Sequence, residues 1–154
     1  MGYLYAVVDG NALIEGKVFG NTYVQKNARI GQYAKVFDNA NIGGDARISG
    51  HAVVCGNARV SDHAVIMDYA VICGNAKVYS GAKVYDFVTV SGDACIFGDS
   101  SLRDNVIVEG TIGNHVIIKD RVIVKGYGYI TNYTHIEGNL VINGEDFACL
   151  SLVL

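Results

Sequence analysis

Residues 45–66 read DARISGHAVVCGNARVSDHAVI, and this stretch decides the fold. It divides into the six-residue units DARISG, HAVVCG and NARVSD, followed by the start of a fourth. Each unit has alanine at its second position and valine or isoleucine at its fourth. Two inward positions separated by one outward position are typical of a β-strand, whereas a period of six does not keep one face of an α-helix. The stretch therefore predicts one short strand in every six residues.

The same unit continues in both directions along the chain. Valine, isoleucine or leucine fills every fourth position from Ile30 to Val108. The pattern slips by two residues near Glu109 and then resumes, and a matching slip falls near Glu15. About 24 units result. A repeat with a fixed period, here six residues, is typical of a solenoid. Every aliphatic fourth position except Leu102 is β-branched, which suits a buried pleated surface.

Composition supports the same fold and excludes several others. The chain has 19 glycines and no proline, as expected where many sharp turns separate strands whose N–H groups all join a ladder. Hydrophobic residues make up 51% and charged residues 18%, which excludes a disordered chain. The net charge of -3 excludes a strongly basic nucleic-acid binder and a polybasic membrane-surface protein.

The sequence also gives an expectation about location. The amino terminus, MGYLYAVVDGNA, lacks a charged leader followed by an apolar core, and no apolar run has the length of a membrane span. The four cysteines have no CxxC spacing and are typical of reduced thiols. We therefore expect a cytoplasmic protein with no membrane partner.

Strings such as DARISGHAVVCGNARVSDHAVI resemble the bacterial transferase hexapeptide-repeat superfamily. The resemblance covers residues 5–144 and implies an all-β fold, a left-handed parallel β-helix with three units in each triangular coil and about eight coils. Residues 1–4 are then a lead-in to the β-helix. Residues 145–154, EDFACLSLVL, leave the repeat and are strongly apolar, so we expect them to cap the last coil or to pack on a partner subunit.

One face of this β-helix is expected to be less polar on its outer side than the other two. The predicted oligomer interface comprises Val53, Val71, Thr89, Ile107, Ile123 and Val141, bordered by Cys55, Cys73, Tyr69 and Phe87. A contiguous exposed apolar stripe usually marks an interface, so the pattern predicts self-association. The superfamily favours a homotrimer, and a dimer is the other possibility. The alternative is that the outward valines and isoleucines follow β-propensity alone.

The resemblance also implies a possible reaction, acyl transfer. The best-known members of the superfamily are acyltransferases that use acetyl-CoA or another acyl donor, with a histidine as general base between subunits. His115 and His135 are the weak candidates for such a base, because the repeat is least regular around them. No orienting carboxylate is evident for either, and a solvated surface histidine is the alternative. His51 and His63 fill a position shared with Asn, Asp and Tyr, which favours a role in turns.

No metal site or cofactor is predicted. The γ-class carbonic anhydrases, also members of the superfamily, have a closely spaced histidine pair that this chain lacks. Its four histidines fall on different coils, whereas zinc needs three or four convergent ligands. Cys55 and Cys73 should stack in adjacent coils with poor disulfide geometry, so we interpret them as small apolar interface residues.

Two functions remain open on the sequence. The preferred one is a non-catalytic homo-oligomeric scaffold or binding protein, similar to phage- and prophage-type repeat proteins. It is preferred because the repeat has no long insertion loop and no C-terminal helix, which the acyltransferases usually add. The alternative is an acyltransferase with a site between subunits. The sequence identifies neither a substrate nor a partner, since a fold shared by enzymes and non-enzymes does not fix function.

Overall fold

A computed structural model of the chain describes residues 5–126 and 128–144. These residues form 24 strands in three parallel sheets of eight strands each, and no helix is present among them. Successive strands enter the three sheets in turn, so each strand pairs with the third strand after it. The predicted fold class, an all-β, left-handed parallel β-helix of eight coils, is confirmed.

The strands of the three sheets are as follows. Sheet A contains β1 (Val7–Val8), β4 (Tyr23–Val24), β7 (Asn41–Ile42), β10 (Arg59–Val60), β13 (Lys77–Val78), β16 (Cys95–Ile96), β19 (Thr111–Ile112) and β22 (Tyr129–Ile130). Sheet B contains β2 (Leu13–Ile14), β5 (Arg29–Ile30), β8 (Arg47–Ile48), β11 (Val65–Ile66), β14 (Lys83–Val84), β17 (Ser101–Leu102), β20 (Ile117–Ile118) and β23 (His135–Ile136). Sheet C contains β3 (Lys17–Val18), β6 (Lys35–Val36), β9 (Val53–Val54), β12 (Val71–Ile72), β15 (Thr89–Val90), β18 (Ile107–Val108), β21 (Arg121–Lys125) and β24 (Asn139–Asn143).

The interior is filled by the two inward positions of each unit. Alanines such as Ala58 and Ala64 and aliphatic residues such as Val60 and Ile66 are fully buried. The large residue comes from the strand, and the small residue lies just before it, where the chain leaves a corner. Each two-residue strand has one outward and one inward residue, so the outward side chains form columns along the three faces.

The corners between sheets require a left-handed backbone, and glycine or aspartate occupies most of these positions. Gly50 and Asp68, one coil apart, both have a positive φ, of 65° and 60°. Aspartate tolerates this conformation and adds a bond, because its carboxylate reaches the next coil. The Asp86 carboxylate accepts a hydrogen bond of 3.0 Å from the backbone N–H of Asp104, and the Asp104 carboxylate accepts one of 3.0 Å from Asp120. These residues therefore tie successive coils together.

The two predicted slips are confirmed as shortened coils. Neighbouring strands are 18 residues apart in most of the helix, as in the pair Arg59 and Lys77, but Cys95 pairs with Thr111 across the second slip. At each slip a glycine occupies the inward small position. A Cβ on Gly16 or Gly110 would lie 2.6 or 2.7 Å from a carbonyl oxygen of the following coil. The tighter corner leaves no room there for alanine.

The strands run from Val7 to Asn143. The expected lead-in, residues 1–4, and the expected capping tail, residues 145–154, lie outside the described residues. In the described part of the chain, no helix is long and apolar enough to cross a membrane.

Candidate functional site

The outward column of sheet C is the most apolar surface of the β-helix, and we name it the sheet C face: Val53, Val71, Thr89, Ile107, Ile123 and Val141. These residues are register partners in successive strands, so their side chains form one unbroken row. Ile107 is 39% exposed and Val141 59% exposed. The corresponding columns of sheets A and B are interrupted by cations, among them Arg59, Lys77 and Lys83.

An aromatic ladder borders the sheet C face at the corner that follows sheet B. The rings of Tyr33, His51, Tyr69 and Phe87 stack with centroids 5.0 to 5.2 Å apart. Each inner ring has both faces covered by its neighbours, so the ladder presents ring edges to solvent, and only Tyr33 and Phe87 end it. His51 is thus a member of a stack as well as a turn residue. The ladder widens the apolar surface on one side, where Phe87 is 60% exposed.

The opposite border of the sheet C face is also apolar. Phe19 and Phe37 stack with centroids 5.1 Å apart, and the half-buried Cys55 and Cys73 continue the same column. Burial raises the pKa of the Cys55 thiol, and the neighbouring Cys73 raises it further. A raised pKa keeps the thiol neutral and suits a packing role better than a reactive one.

His115 has an orienting carboxylate, so the expectation that none exists was wrong. Its Nε2 lies 3.2 Å from Oδ2 of Asp99, and its ring stacks on Tyr133 with centroids 4.7 Å apart. Asn114 and His115 are both in the left-handed region, with φ of 57° and 65°. Consecutive left-handed residues recur one coil later, at Asn132 and Tyr133, so this corner differs from the regular ones with a single such residue.

His135 lies in a different setting. It is the outward residue of β23 on sheet B, and its Nε2 is 3.5 Å from Oε2 of Glu137. Glu137 also pairs with Lys119, whose hydrogen bond and charge lower the pKa of the glutamate, and the same pair raises the pKa of Lys119. The two candidate histidines therefore have separate partners and do not form one site.

A groove of about 670 Å³ runs along the corner between sheets A and B. Its lining includes Asp45, His63, Ser80, Gly81 and Asp99. His63 Nδ1 lies 3.4 Å from Asp45 Oδ2, which gives a second histidine–aspartate pair on the same corner as His115 and Asp99. Gly81 lies between the two pairs, and a Cβ on it would clash with the Asp99 carboxylate.

The groove holds acid–base groups but no ligand set for a metal. Among residues 5–126 and 128–144, no three His, Cys, Asp or Glu side chains converge closely enough to bind an ion. The arrangement can position a proton acceptor at His115, since a carboxylate on one ring nitrogen fixes the tautomer and leaves the other nitrogen as a base.

No protein-family profile matches the sequence, and no curated protein matches it. Among solved structures, the chain is similar to LpxA, a UDP-N-acetylglucosamine acyltransferase from Bacteroides fragilis, with 16% identity over 90% of this chain and a TM-score of 0.42. It is also similar to LpxA from Acinetobacter baumannii, with 16% identity over 89% of this chain and a TM-score of 0.40. The chain spans 64% of the length of either protein. By its own six-residue period and strand pairing, the chain is a hexapeptide-repeat β-helix.

Proposed function

We propose that the protein is a homo-oligomeric β-helical scaffold whose copies associate through the sheet C face. The observation that carries the proposal is the row of outward side chains from Val53 to Val141, in which Thr89 is the one residue that is not aliphatic. Val53, Val71 and Ile123 are already half-buried in the single chain, so association gains only part of the about 1.5–3 kcal/mol that full burial of an exposed valine or isoleucine gives. The five aliphatic residues therefore offset part of the cost of association, which is about 4–15 kcal/mol, and the apolar borders of the face must supply the rest.

The borders of the face support the same proposal. The aromatic ladder lies on one side and the column of Phe19, Phe37, Cys55 and Cys73 on the other, so the apolar area is broader than a single strand. Lys17 and Lys35 lie at the amino-terminal end of the column and limit the apolar region to the later coils. We propose a cyclic homotrimer of parallel prisms, because three sheet C faces around one axis exclude water from all three copies.

Val71→Lys combined with Ile107→Lys tests the proposed interface. Each lysine would place a charge in the middle of the row, so we expect monomers in sedimentation velocity where the unaltered chain forms trimers. Ile117→Lys is the matched control, because Ile117 is also an outward isoleucine but lies on sheet B. An unchanged oligomer in the double variant, or monomers with the control, would contradict this interface.

A second candidate function, acyl transfer, is favoured by the pair of Asp99 and His115. In such a reaction Nδ1 of His115 would remove the proton from an acceptor hydroxyl or amine. The acceptor would then attack the thioester carbonyl of an acyl donor such as acetyl-CoA, and the C–S bond would break as the thiolate leaves and takes up a proton. The exposed position of His115 and the left-handed backbone beneath it support a site on this corner.

Calorimetry with acetyl-CoA separates the two candidates. The scaffold proposal predicts no saturable binding of acetyl-CoA at the corner that contains His115. Saturable binding that is lost in the double variant His115→Ala with His135→Ala would favour the enzyme instead. Asp99→Asn is the finer probe, because it keeps the side-chain size and removes the charge that orients His115. His63→Ala is its control on the same corner.

A further inference from the structure

Arg29 and Arg47 form a pair of like charges on sheet B, away from the proposed interface. They are register partners in β5 and β8, and both side chains are exposed. Neighbouring strands are about 4.8 Å apart, and like charges directly opposite each other destabilise a sheet. The repeat does not require cations here, because Val65 and Ser101 fill the same position in later coils.

Neither guanidinium has an ion-pair partner in the described ranges. The ion pairs formed there join Lys119 and three of the four histidines to carboxylates, and none of them includes Arg29 or Arg47. Glu15 lines the same groove as the two arginines but lies beyond ion-pair distance of both. The two exposed guanidinium groups therefore have donors available to a ligand, and no ion pair relieves the repulsion between them.

The two arginines line a groove of about 430 Å³. Gly31 and Ser49 also line it, so it has little side-chain bulk beside the arginines and one hydroxyl. Val65 and the exposed Met67 form an apolar end one coil beyond Arg47. Glu15 and Leu13 lie at the opposite end, where the carboxylate repels an anion.

We propose that Arg29 and Arg47 bind the phosphoryl group of a small phosphate monoester. Two guanidinium forks at strand spacing can each donate to different oxygens of one tetrahedral dianion, and charge-assisted bonds of this kind are the stronger ones. The dianion also removes the repulsion between the arginines. Glu15 disfavours the lower end of the groove, so the apolar part of the ester lies toward Val65 and Met67.

Titration with inorganic phosphate and with n-hexyl phosphate, followed by ³¹P NMR at low salt, tests this site. We expect saturable binding of both, with n-hexyl phosphate the tighter. Arg29→Gln and Arg47→Gln should each weaken binding at least about tenfold. Lys83→Gln is the matched control, because it removes one positive charge from the same outward column two coils beyond Arg47 and should change affinity less than about twofold.

Two further measurements distinguish binding at this site from nonspecific electrostatic attraction and from binding to a lipid surface. Met67→Ser should abolish the preference for n-hexyl phosphate and leave inorganic phosphate binding unchanged. Vesicles that contain phosphatidic acid should not sediment the protein. Equal weakening by Lys83→Gln and Arg47→Gln, absence of saturation, or sedimentation with the vesicles would each overturn the proposal.

Discussion

Gly110 and Gly128 occupy the same inward position in successive coils of sheet A, yet only one of them has no room for a side chain. A Cβ on Gly110 would lie 2.7 Å from the carbonyl oxygen of Gly128, whereas the nearest atom to a Cβ on Gly128 would be 3.5 Å away. Gly110 lies in the corner between β18 and β19, which the slip shortens to two residues, whereas Gly128 lies in the longer corner between β21 and β22.

We therefore expect Gly110→Ala and Gly128→Ala to differ in sign. Gly110→Ala should lower the free energy of unfolding by about 1–3 kcal/mol, because the backbone must move to admit the methyl group. Gly128→Ala should be neutral or stabilising by up to about 1 kcal/mol, since it restricts the unfolded chain at a site with space. Urea denaturation of both variants measures the difference. Equal effects would mean that the slip does not tighten the coil.

The aspartates that link successive coils predict that substitutions of Asp86 lower stability by different amounts. This residue has a φ of 53°, and its carboxylate accepts the N–H of Asp104 at 3.0 Å. Asp86→Gly keeps the backbone conformation and loses the bond, which should cost about 1 kcal/mol. Asp86→Ala loses the same bond but keeps a Cβ in the left-handed region, which alanine tolerates less well than aspartate, so it should be about 1–2 kcal/mol less stable than Asp86→Gly. Asp86→Asn keeps an acceptor and should be the mildest. Chemical denaturation ranks the three, and equal stability of the glycine and alanine variants would contradict the backbone argument.

The raised pKa of Tyr79 predicts that the protein loses stability at alkaline pH. Its hydroxyl lies 3.6 Å from the Cys95 sulfur, and this hydrogen bond together with burial raises its pKa from 10.0 to about 12. The folded state binds this proton more tightly than the unfolded state, so the contribution is complete below pH 10 and is lost as the pH rises toward 12. Tyr79→Phe keeps the ring stacked on Phe97 and removes the titration.

The measurement is the unfolding free energy of both proteins between pH 9 and pH 12. Above about pH 10 the unaltered protein should lose stability more steeply than Tyr79→Phe. Parallel curves would mean that the hydroxyl is not held in its neutral form.

The fold could be predicted from the sequence because its signal is local and repeated. Every large inward residue from Ile30 to Val108 is marked by the six-residue period, and the slips are visible as a change in spacing. Tyr69 and Phe87 are 18 residues apart and therefore occupy the same corner of adjacent coils, where their rings stack.

The two histidine–aspartate pairs were not predicted from the sequence. Asp45 and His63 are 18 residues apart, so the period alone could have paired them. Asp99 and His115 are 16 residues apart, because the second slip lies between them, and a search at the regular spacing misses the contact. Side-chain rotamers decide whether such neighbours meet, and no sequence period encodes them.

The central claim, association through the sheet C face, is tested most directly by sedimentation of one matched pair of variants. Ile107→Lys and Ile117→Lys introduce the same change at outward isoleucines, on sheet C and sheet B respectively. We predict that Ile107→Lys shifts the trimer toward monomer by at least about tenfold in the association constant, while Ile117→Lys sediments as the unaltered protein does. A monomeric unaltered chain, or an equal response of the two variants, would contradict the claim.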